Sequence, residues 1–212
     1  MNKPKILIAD DHTMVVEAFR KLLEPQYEVV GSVGDGRALL DSAPQLQPDV
    51  IIIDIGMPLL NGLAAGQQLK KLMRRVKLVY VTMNEDPELA RDALQHGASV
   101  YLLKTSAASE LLKGIHEALK GGQYVTPSIR QAMEDAFVRL PNPKSTGRRL
   151  TPRQIEVLQL LAEGHSMKQA AAILGLTSRT IAFHKYRMME VLGLTTSAEL
   201  IQYAVKHHLT VA

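Results

Sequence analysis

The stretch Val50-Ile51-Ile52-Ile53-Asp54-Ile55-Gly56-Met57-Pro58 narrows the fold more than any other part of the chain. A continuous run of β-branched residues reads as a strand buried on both faces, as in the middle of a parallel sheet. Such a strand excludes charge from its interior. Asp54 therefore belongs at its carboxyl end, where an open α/β sheet keeps its ligand crevice. Gly56 and Pro58 stop the strand at once and leave the carboxylate on the rim.

The flanking sequence repeats this arrangement. Lys5–Ala9 is a short apolar run that ends in Asp10-Asp11, and a helix is predicted over 13–24, stopped by Pro25. Tyr27–Val33 reads as a strand, Arg37–Ala43 as a short helix, and Pro44 and Pro48 as brackets of the loop before the Asp54 strand. A helix over Leu63–Met73 follows the Asn61-Gly62 turn. Strand Lys77–Val81 ends at Thr82, and helix Pro87–Gln95 ends at Gly97. Strand Ser99–Leu103 ends at Lys104, and helix Glu110–Lys120 ends at Gly121-Gly122. Five strand–helix alternations predict a five-stranded parallel, doubly wound, flavodoxin-like sheet with helices on both faces. Asp10, Asp11, Asp54, Thr82 and Lys104 then all fall at strand carboxyl ends.

Three carboxylates converging there make a hard-oxygen site suited to Mg²⁺. An aspartate can accept a phosphoryl group as an acyl phosphate. Lys104 supplies a point charge for a phosphate oxygen, and the Thr82 hydroxyl can hydrogen-bond to it. Read singly, Asp10-Asp11 is a helix cap, Asp54 a turn residue and Lys104 a surface lysine. Their common placement favours the pocket.

Residues 126–149 differ in character. Ile129, Met133, Phe137 and Leu140 suggest a short amphipathic helix, and Pro141–Gly147 reads as a linker. From Leu150 onward the pattern is helical throughout. The net charge of +4 is not spread evenly. Residues 148–212 carry eight Lys/Arg against four Asp/Glu, whereas 1–147 hold seventeen of each. A basic tail module suggests a polyanionic partner. The chain has no cysteine, which excludes disulfides and thiolate metal sites and fits a reducing cytoplasm. No apolar run reaches bilayer length, Met1–Pro4 has no signal-peptide core, and no membrane partner is expected.

In the tail, Thr151 and Pro152 open a helix whose inner face is Ile155, Leu158, Leu161 and Ala162, and Gly164 ends it. Helix Met167–Leu174 turns at Gly175. A third helix, capped by Thr177 or Ser178, runs to Leu192. The spacing of Ala171, Gly175 and Ile181 suits a helix-turn-helix. Helical projection puts Ile181, His184, Met188, Val191 and Leu192 on the core side. Arg179, Thr180, Ala182, Phe183, Lys185, Tyr186 and Arg187 are the candidate DNA contacts. Arg179, Lys185 and Arg187 suit phosphates, Ala182 and Phe183 thymine methyls, and Tyr186 a base or phosphate. The other reading packs Phe183 and Tyr186 against the linker or the first module. His184 has no second ligand at helical spacing and reads as structural.

Residues 1–123 resemble a response-regulator receiver domain of two-component signalling. The resemblance rests on Ile8-Ala9-Asp10-Asp11, Asp54–Pro58, Val81-Thr82 and Tyr101-Leu102-Leu103-Lys104. It implies phosphorylation of Asp54 by a sensor histidine kinase, with Mg²⁺ bound by Asp10, Asp11, Asp54 and the Gly56 carbonyl. It also implies a Thr82–Tyr101 switch pair. Thr105 stands where many receivers have proline, and Met83 where many have a small residue. Residues 148–212 resemble the helix-turn-helix of the LuxR/NarL/FixJ class through Leu150–Arg153, Glu156–Leu158, Leu161–Gly164 and Thr180-Ile181-x2-His184. Ala182 and Phe183 replace its usual lysine and small polar residue. The expected organisation is a receiver (1–123), a linker with a short helix (124–147) and a DNA-binding domain (148–212).

The expected function is a cytoplasmic, Mg-dependent transcriptional regulator, homodimeric when active, that binds double-stranded promoter DNA. Dimerisation is expected through the first and fifth receiver helices or the last helix of the tail. The chain is not expected to be an enzyme beyond slow self-dephosphorylation. An aspartyl-phosphate phosphatase would place a second aspartate where Gly56 stands. The remaining alternative is a phosphorylation-independent regulator with a vestigial receiver site.

Overall fold

A computed structural model describes residues 3–106, 108–139, 150–207 and 209. The expected linker Pro141–Gly147, and with it Leu140 of the amphipathic pattern, lies outside the described residues. The sheet is parallel, with order β2-β1-β3-β4-β5-β6. Its strands are β1 (Lys5–Ala9), β2 (Glu28–Val33), β3 (Val50–Asp54), β4 (Lys77–Thr82), β5 (Ala98–Leu103) and β6 (Tyr124–Val125). The helices between the strands are α1 (Thr13–Leu23), α2 (Gly36–Leu46), α3 (Gly62–Leu72), α4 (Pro87–Gln95) and α5 (Ala108–Leu119).

The β3 run behaves as its composition demands. All five residues are buried, and they alternate between two cores. Ile51 and Ile53 face the core shared with α2, α3 and α4, which includes Leu39, Ala43, Ala65, Leu69, Ala90 and Ala93. Val50 and Ile52 face the core shared with α1 and α5, which includes Val16, Leu23, Leu111 and Ile115. The period of two sorts one apolar run onto two helical layers.

Two elements depart from expectation. Helix α2 does not stop before Pro44 but continues to Leu46, with the proline inside its last turn. Leu39 and Ala43 are fully buried, with Leu40 and Leu46 packed beside them, so apolar burial holds the final turn in place. Gln47 ends the helix in the left-handed region, φ 47°, and its N–H reaches the Ala43 carbonyl. The sheet also has a sixth strand, where five were expected. Tyr124 and Val125 pair in parallel with Val100 and Tyr101. The helix that follows, α6 (Pro127–Arg139), packs Ile129 into the same core as α4.

The tail forms α7 (Pro152–Ala162), α8 (Met167–Leu174), α9 (Ser178–Leu192) and α10 (Ser197–Lys206). Thr151, Ser166 and Thr196 each close a capping box, and Thr177 caps α9. Gly175 (φ 63°) and Gly193 (φ 71°) end α8 and α9 in the left-handed conformation that glycine adopts without strain. The core of this module joins Val157, Leu158, Leu160, Ala171, Leu174, Ile181, Met188 and Leu200. Helix α7 is buried on more than its expected inner face: Glu156 and Gln159 are buried too. The sheet module covers that second face, through Met57, Asn61 and Gln68.

Candidate phosphoacceptor site and DNA-reading helix

Chain order builds the pocket. β1 lies between β2 and β3, so the connections leave its two sides in opposite directions and open a crevice at the carboxyl ends of β1 and β3. Asp10 and Asp11 follow β1, and Asp54 ends β3. Ligand atoms of Asp10, Asp11, His12 and Asp54 all lie within 4.8 Å of one another. Lys104 reaches in from β5, with Nζ 2.8 Å from Asp10 Oδ2 and 2.9 Å from Asp54 Oδ2. The pocket floor is buried: the side chains of Asp10, Asp54 and Lys104 are 2%, 7% and 10% exposed. Asp11 stands on the open side.

Asp10 and Asp54 share one ammonium group with a third carboxylate, Asp11, close by, and that imbalance shapes the electrostatics. Burial pushes the Asp54 carboxyl above its ordinary range, with the Asp10 charge adding to the rise and Lys104 and the Gly56 N–H opposing it. For Lys104, burial disfavours the charge, but hydrogen bonds to Asp10 and Asp54 outweigh it and hold the ammonium above its usual value. A divalent cation would correct the excess negative charge. The donors are all oxygen apart from the His12 ring, which suits Mg²⁺. The fit to a hard cation is therefore good. Asp10, Asp11 and Asp54 are the carboxylates that would hold it.

The elements around Asp54 pack closely. Gly62 begins α3 directly under the strand end: a Cβ there would lie 2.1 Å from the Asp54 carbonyl oxygen and 2.7 Å from Ile53 Cγ2. Gly56 N–H donates to Asp54 Oδ1 at 3.3 Å. Thr82 and Tyr101 come together through Asn84. The Asn84 N–H donates to Thr82 Oγ1 at 3.1 Å, and the Tyr101 hydroxyl donates to the Asn84 carbonyl at 3.1 Å. Tyr101 is fully buried, and burial with the nearby Asp86 raises its phenol well above the ordinary value. Met83, between these residues, is exposed.

Sequence reasoning overlooks His12, and it places Asn84 beside the phosphate by resemblance without the link it makes. His12 Nδ1 lies 3.1 Å from Asp10 Oδ1 and 2.9 Å from Asp11 Oδ1. Its position directly after the aspartate pair is the signal that places it there. Asn84 joins the two expected switch residues through its backbone alone, which no side-chain pattern reveals.

On α9, Ile181 and Met188 are buried and His184 is half-buried, as projected. Phe183 and Tyr186 are each 65% exposed, so neither packs against the receiver module. Arg179 and Arg187 are exposed, while Thr180, Ala182 and Lys185 are partly so. The Thr180 hydroxyl is engaged with the capping Thr177 at 2.9 Å, and Arg187 pairs with Glu190. Lys185 Nζ lies 5.7 Å from the Tyr186 ring centre, a cation–π contact. The result is one solvent-facing surface of cations and aromatic rings on a helix of groove-reading length.

A doubly wound sheet with an acidic crevice and an opposing lysine, followed by a four-helix helix-turn-helix module, defines the two-module response regulators. Residues 6–116 match the family model described as response regulator receiver domain, and residues 148–204 match that of bacterial regulatory proteins, luxR family. The chain belongs to this family and is a DNA-binding two-component response regulator of the LuxR type. It is 31% identical over 207 residues to the transcriptional regulatory protein MctR of Rhizobium johnstonii, covering 97% of this chain and 94% of the relative. It is 32% identical over 213 residues to the oxygen regulatory protein NreC of Staphylococcus carnosus, covering 97% and 98%. Among solved structures, the RcsB response regulator of Salmonella typhimurium superposes over 100% of both chains with a TM-score of 0.67 at 29% identity. A structure of two RcsB dimers bound to two parallel DNAs matches 96% of this chain and 98% of that one, with a TM-score of 0.60 at 29% identity.

Proposed function

We propose that Asp54 receives a phosphoryl group from a sensor histidine kinase and that this event controls binding of promoter DNA by α9. The observation that carries the reading is the Lys104 ammonium held between two buried carboxylates, with a third carboxylate on the open side. In the transfer, an Asp54 carboxylate oxygen attacks phosphorus while the bond from phosphorus to the donor's histidine nitrogen breaks. The nitrogen keeps the electron pair, and an acyl phosphate forms. Mg²⁺ held by Asp10, Asp11, Asp54 and the Gly56 carbonyl would neutralise charge on the phosphoryl oxygens. Lys104 would exchange its Asp54 contact for one to a phosphoryl oxygen. Thr82 would give up the Asn84 N–H and donate its hydroxyl to the same group, which releases Asn84 and, through it, Tyr101.

The working division is a receiver (1–123), a connecting segment (124–147) whose β6 and α6 pack onto the receiver sheet and extend it, and a DNA-binding module (148–212), in a cytoplasmic protein. Among the described residues no helix is long and apolar enough to cross a membrane. Homodimerisation on activation is supported by exposed apolar side chains on two helices: Met14 on α1, and Ile201 and Val205 one turn apart on α10. The test is retention of labelled duplex DNA by the full chain over a range of salt, with and without acetyl phosphate and Mg²⁺. The reading predicts tighter binding after phosphorylation, with affinity falling linearly against salt on logarithmic axes. Equal binding in both states would refute phosphoryl control.

A further inference from the structure

The line of α9 that faces furthest outward is apolar at its centre. Residues at i, i+3, i+4 and i+7 share one helix face, and from Arg179 these are Ala182, Phe183 and Tyr186. Ile181 and Met188 are fully buried on the opposite side, and the Phe183 and Tyr186 side chains stand open to solvent. Phe183 lies edge-on to the His184 imidazole, with 5.8 Å between ring centres and 68° between planes. Of the cations, Lys185 leans over the Tyr186 ring and Arg187 is paired with Glu190. Arg179, which starts the line in the first turn of the helix, has no ion-pair partner among the described residues.

A duplex suits such a face better than a second copy of the chain does. Arg179, Lys185 and Arg187 stand against one carboxylate, Glu190, on this surface. The same faces of two copies therefore repel, whereas DNA phosphates attract them. Within the groove, recognition depends on the chemistry of the central side chains. A lysine or arginine reads guanine through O6 and N7, and a serine or threonine hydroxyl accepts several bases. Ala182 and Phe183 carry no side-chain donor or acceptor, so they read nothing by hydrogen bonding. The major groove presents one apolar group to such residues, the methyl at C5 of thymine. Cytosine has only hydrogen at C5, and methylation there creates the same apolar group beside a G·C pair.

We infer that Phe183 is a specificity-determining residue, and that α9 selects its sites by the C5-methyl group of a pyrimidine seated against the Phe183 ring. This rests on the reading of α9 as the helix that binds promoter DNA. Two consequences distinguish it from recognition through hydrogen bonds. Uracil in place of the contacted thymine keeps every donor and acceptor of the base pair but weakens binding. Cytosine methylation at the same place strengthens binding without changing the hydrogen-bonding pattern. Seating one methyl group against an apolar surface corresponds to about a fourfold change in affinity.

The test uses the full chain with acetyl phosphate and Mg²⁺. Duplexes that it enriches from a random pool are resynthesised with each thymine replaced singly by uracil, which removes only the methyl group. At the thymine where the effect is largest, cytosine and 5-methylcytosine are also compared, each paired with guanine. The native chain should bind the uracil duplex about fourfold more weakly, and 5-methylcytosine should exceed cytosine by a similar factor. Phe183→Ala should bind the thymine duplex about tenfold more weakly and bring both ratios close to one. Phe183→Leu keeps an apolar surface and should retain part of each ratio. Phe183 is exposed, so neither substitution touches the core, and circular dichroism checks the fold. A Phe183→Ala chain that binds all duplexes more weakly but keeps the native ratios overturns the inference. A native chain that enriches duplexes yet is indifferent to uracil at every thymine removes the inference alone. If the full chain enriches no duplex, the assignment of α9 as the DNA-binding helix fails and the inference falls with it.

Discussion

Replacing Lys104 with methionine should make the stability of the chain depend on Mg²⁺. The ammonium lies 2.8 and 2.9 Å from two carboxylates, and all three side chains are at most 10% exposed. Removing one partner of a buried ionic cluster costs about 3–5 kcal/mol, because the remaining charges stay buried without compensation. Here two carboxylates are stranded together, while methionine keeps most of the apolar stem in place. The lower end, about 3 kcal/mol, is the conservative figure, since Asp11 keeps one side of the pocket open to water. With a urea m-value of about 1–3 kcal/mol/M, the midpoint should fall by roughly 1–3 M. Mg²⁺ binds the folded pocket and not the unfolded chain, so it should restore much of the loss in proportion to RT ln(1 + [Mg²⁺]/Kd). The assay is urea unfolding followed by far-ultraviolet circular dichroism, native beside Lys104→Met, in excess chelator and in millimolar Mg²⁺. A midpoint in chelator within about 0.3 M of native, or equal Mg²⁺ effects on the two proteins, would refute the view that Lys104 balances this charge cluster.

Asp54→Asn should stabilise the metal-free chain at neutral pH, seen as a higher melting temperature. Native Asp54 has its pKa raised by burial, so its ionised form opposes folding above the ordinary carboxylate range, and that penalty vanishes at pH values where both states bind the proton. The advantage of Asp54→Asn should therefore shrink as pH falls into the carboxylate range. Gly62→Ala should destabilise the receiver by more than about 2 kcal/mol in chemical denaturation, because its Cβ would overlap the Asp54 carbonyl. Tyr101→Phe removes only the hydrogen bond to the Asn84 carbonyl; it should cost about 0.5–1.5 kcal/mol, leave phosphorylation of Asp54 intact and weaken the gain in DNA binding that follows it. Lys185→Ala should weaken binding to all duplexes similarly and reduce the salt slope by about one, measured by anisotropy titration.

The pocket is legible in the sequence because each of its charged groups ends an apolar strand, and parallel strands bring their carboxyl ends together. The same logic brings Asp10, Asp54 and Lys104 together without coordinates. Element boundaries near capping residues are equally plain: Thr151 and Pro152 open α7, and Pro87 opens α4, where their side-chain chemistry says they should. Three features are not legible, each for a physical reason. β6 has two residues, too few to show a period of two. Pro44 marks a stop by its own chemistry, yet the burial of Ala43 and Leu46 after a strong apolar start carries α2 past it. Glu156 and Gln159 read as the solvent face of an amphipathic helix, because nothing within α7 announces that a second module covers that face. The exposure of Phe183 and Tyr186 depends on the same docking, which local sequence does not encode.

The most direct measurement is the intact mass of the full chain after incubation with acetyl phosphate and Mg²⁺, native beside Asp54→Ala, with excess chelator as a third arm. The native chain should gain one phosphoryl mass, lose it on mild alkaline treatment as an acyl phosphate does, and gain none in chelator or with alanine at position 54. Equal labelling of Asp54→Ala, or no labelling of a folded native chain at saturating Mg²⁺, would contradict the account.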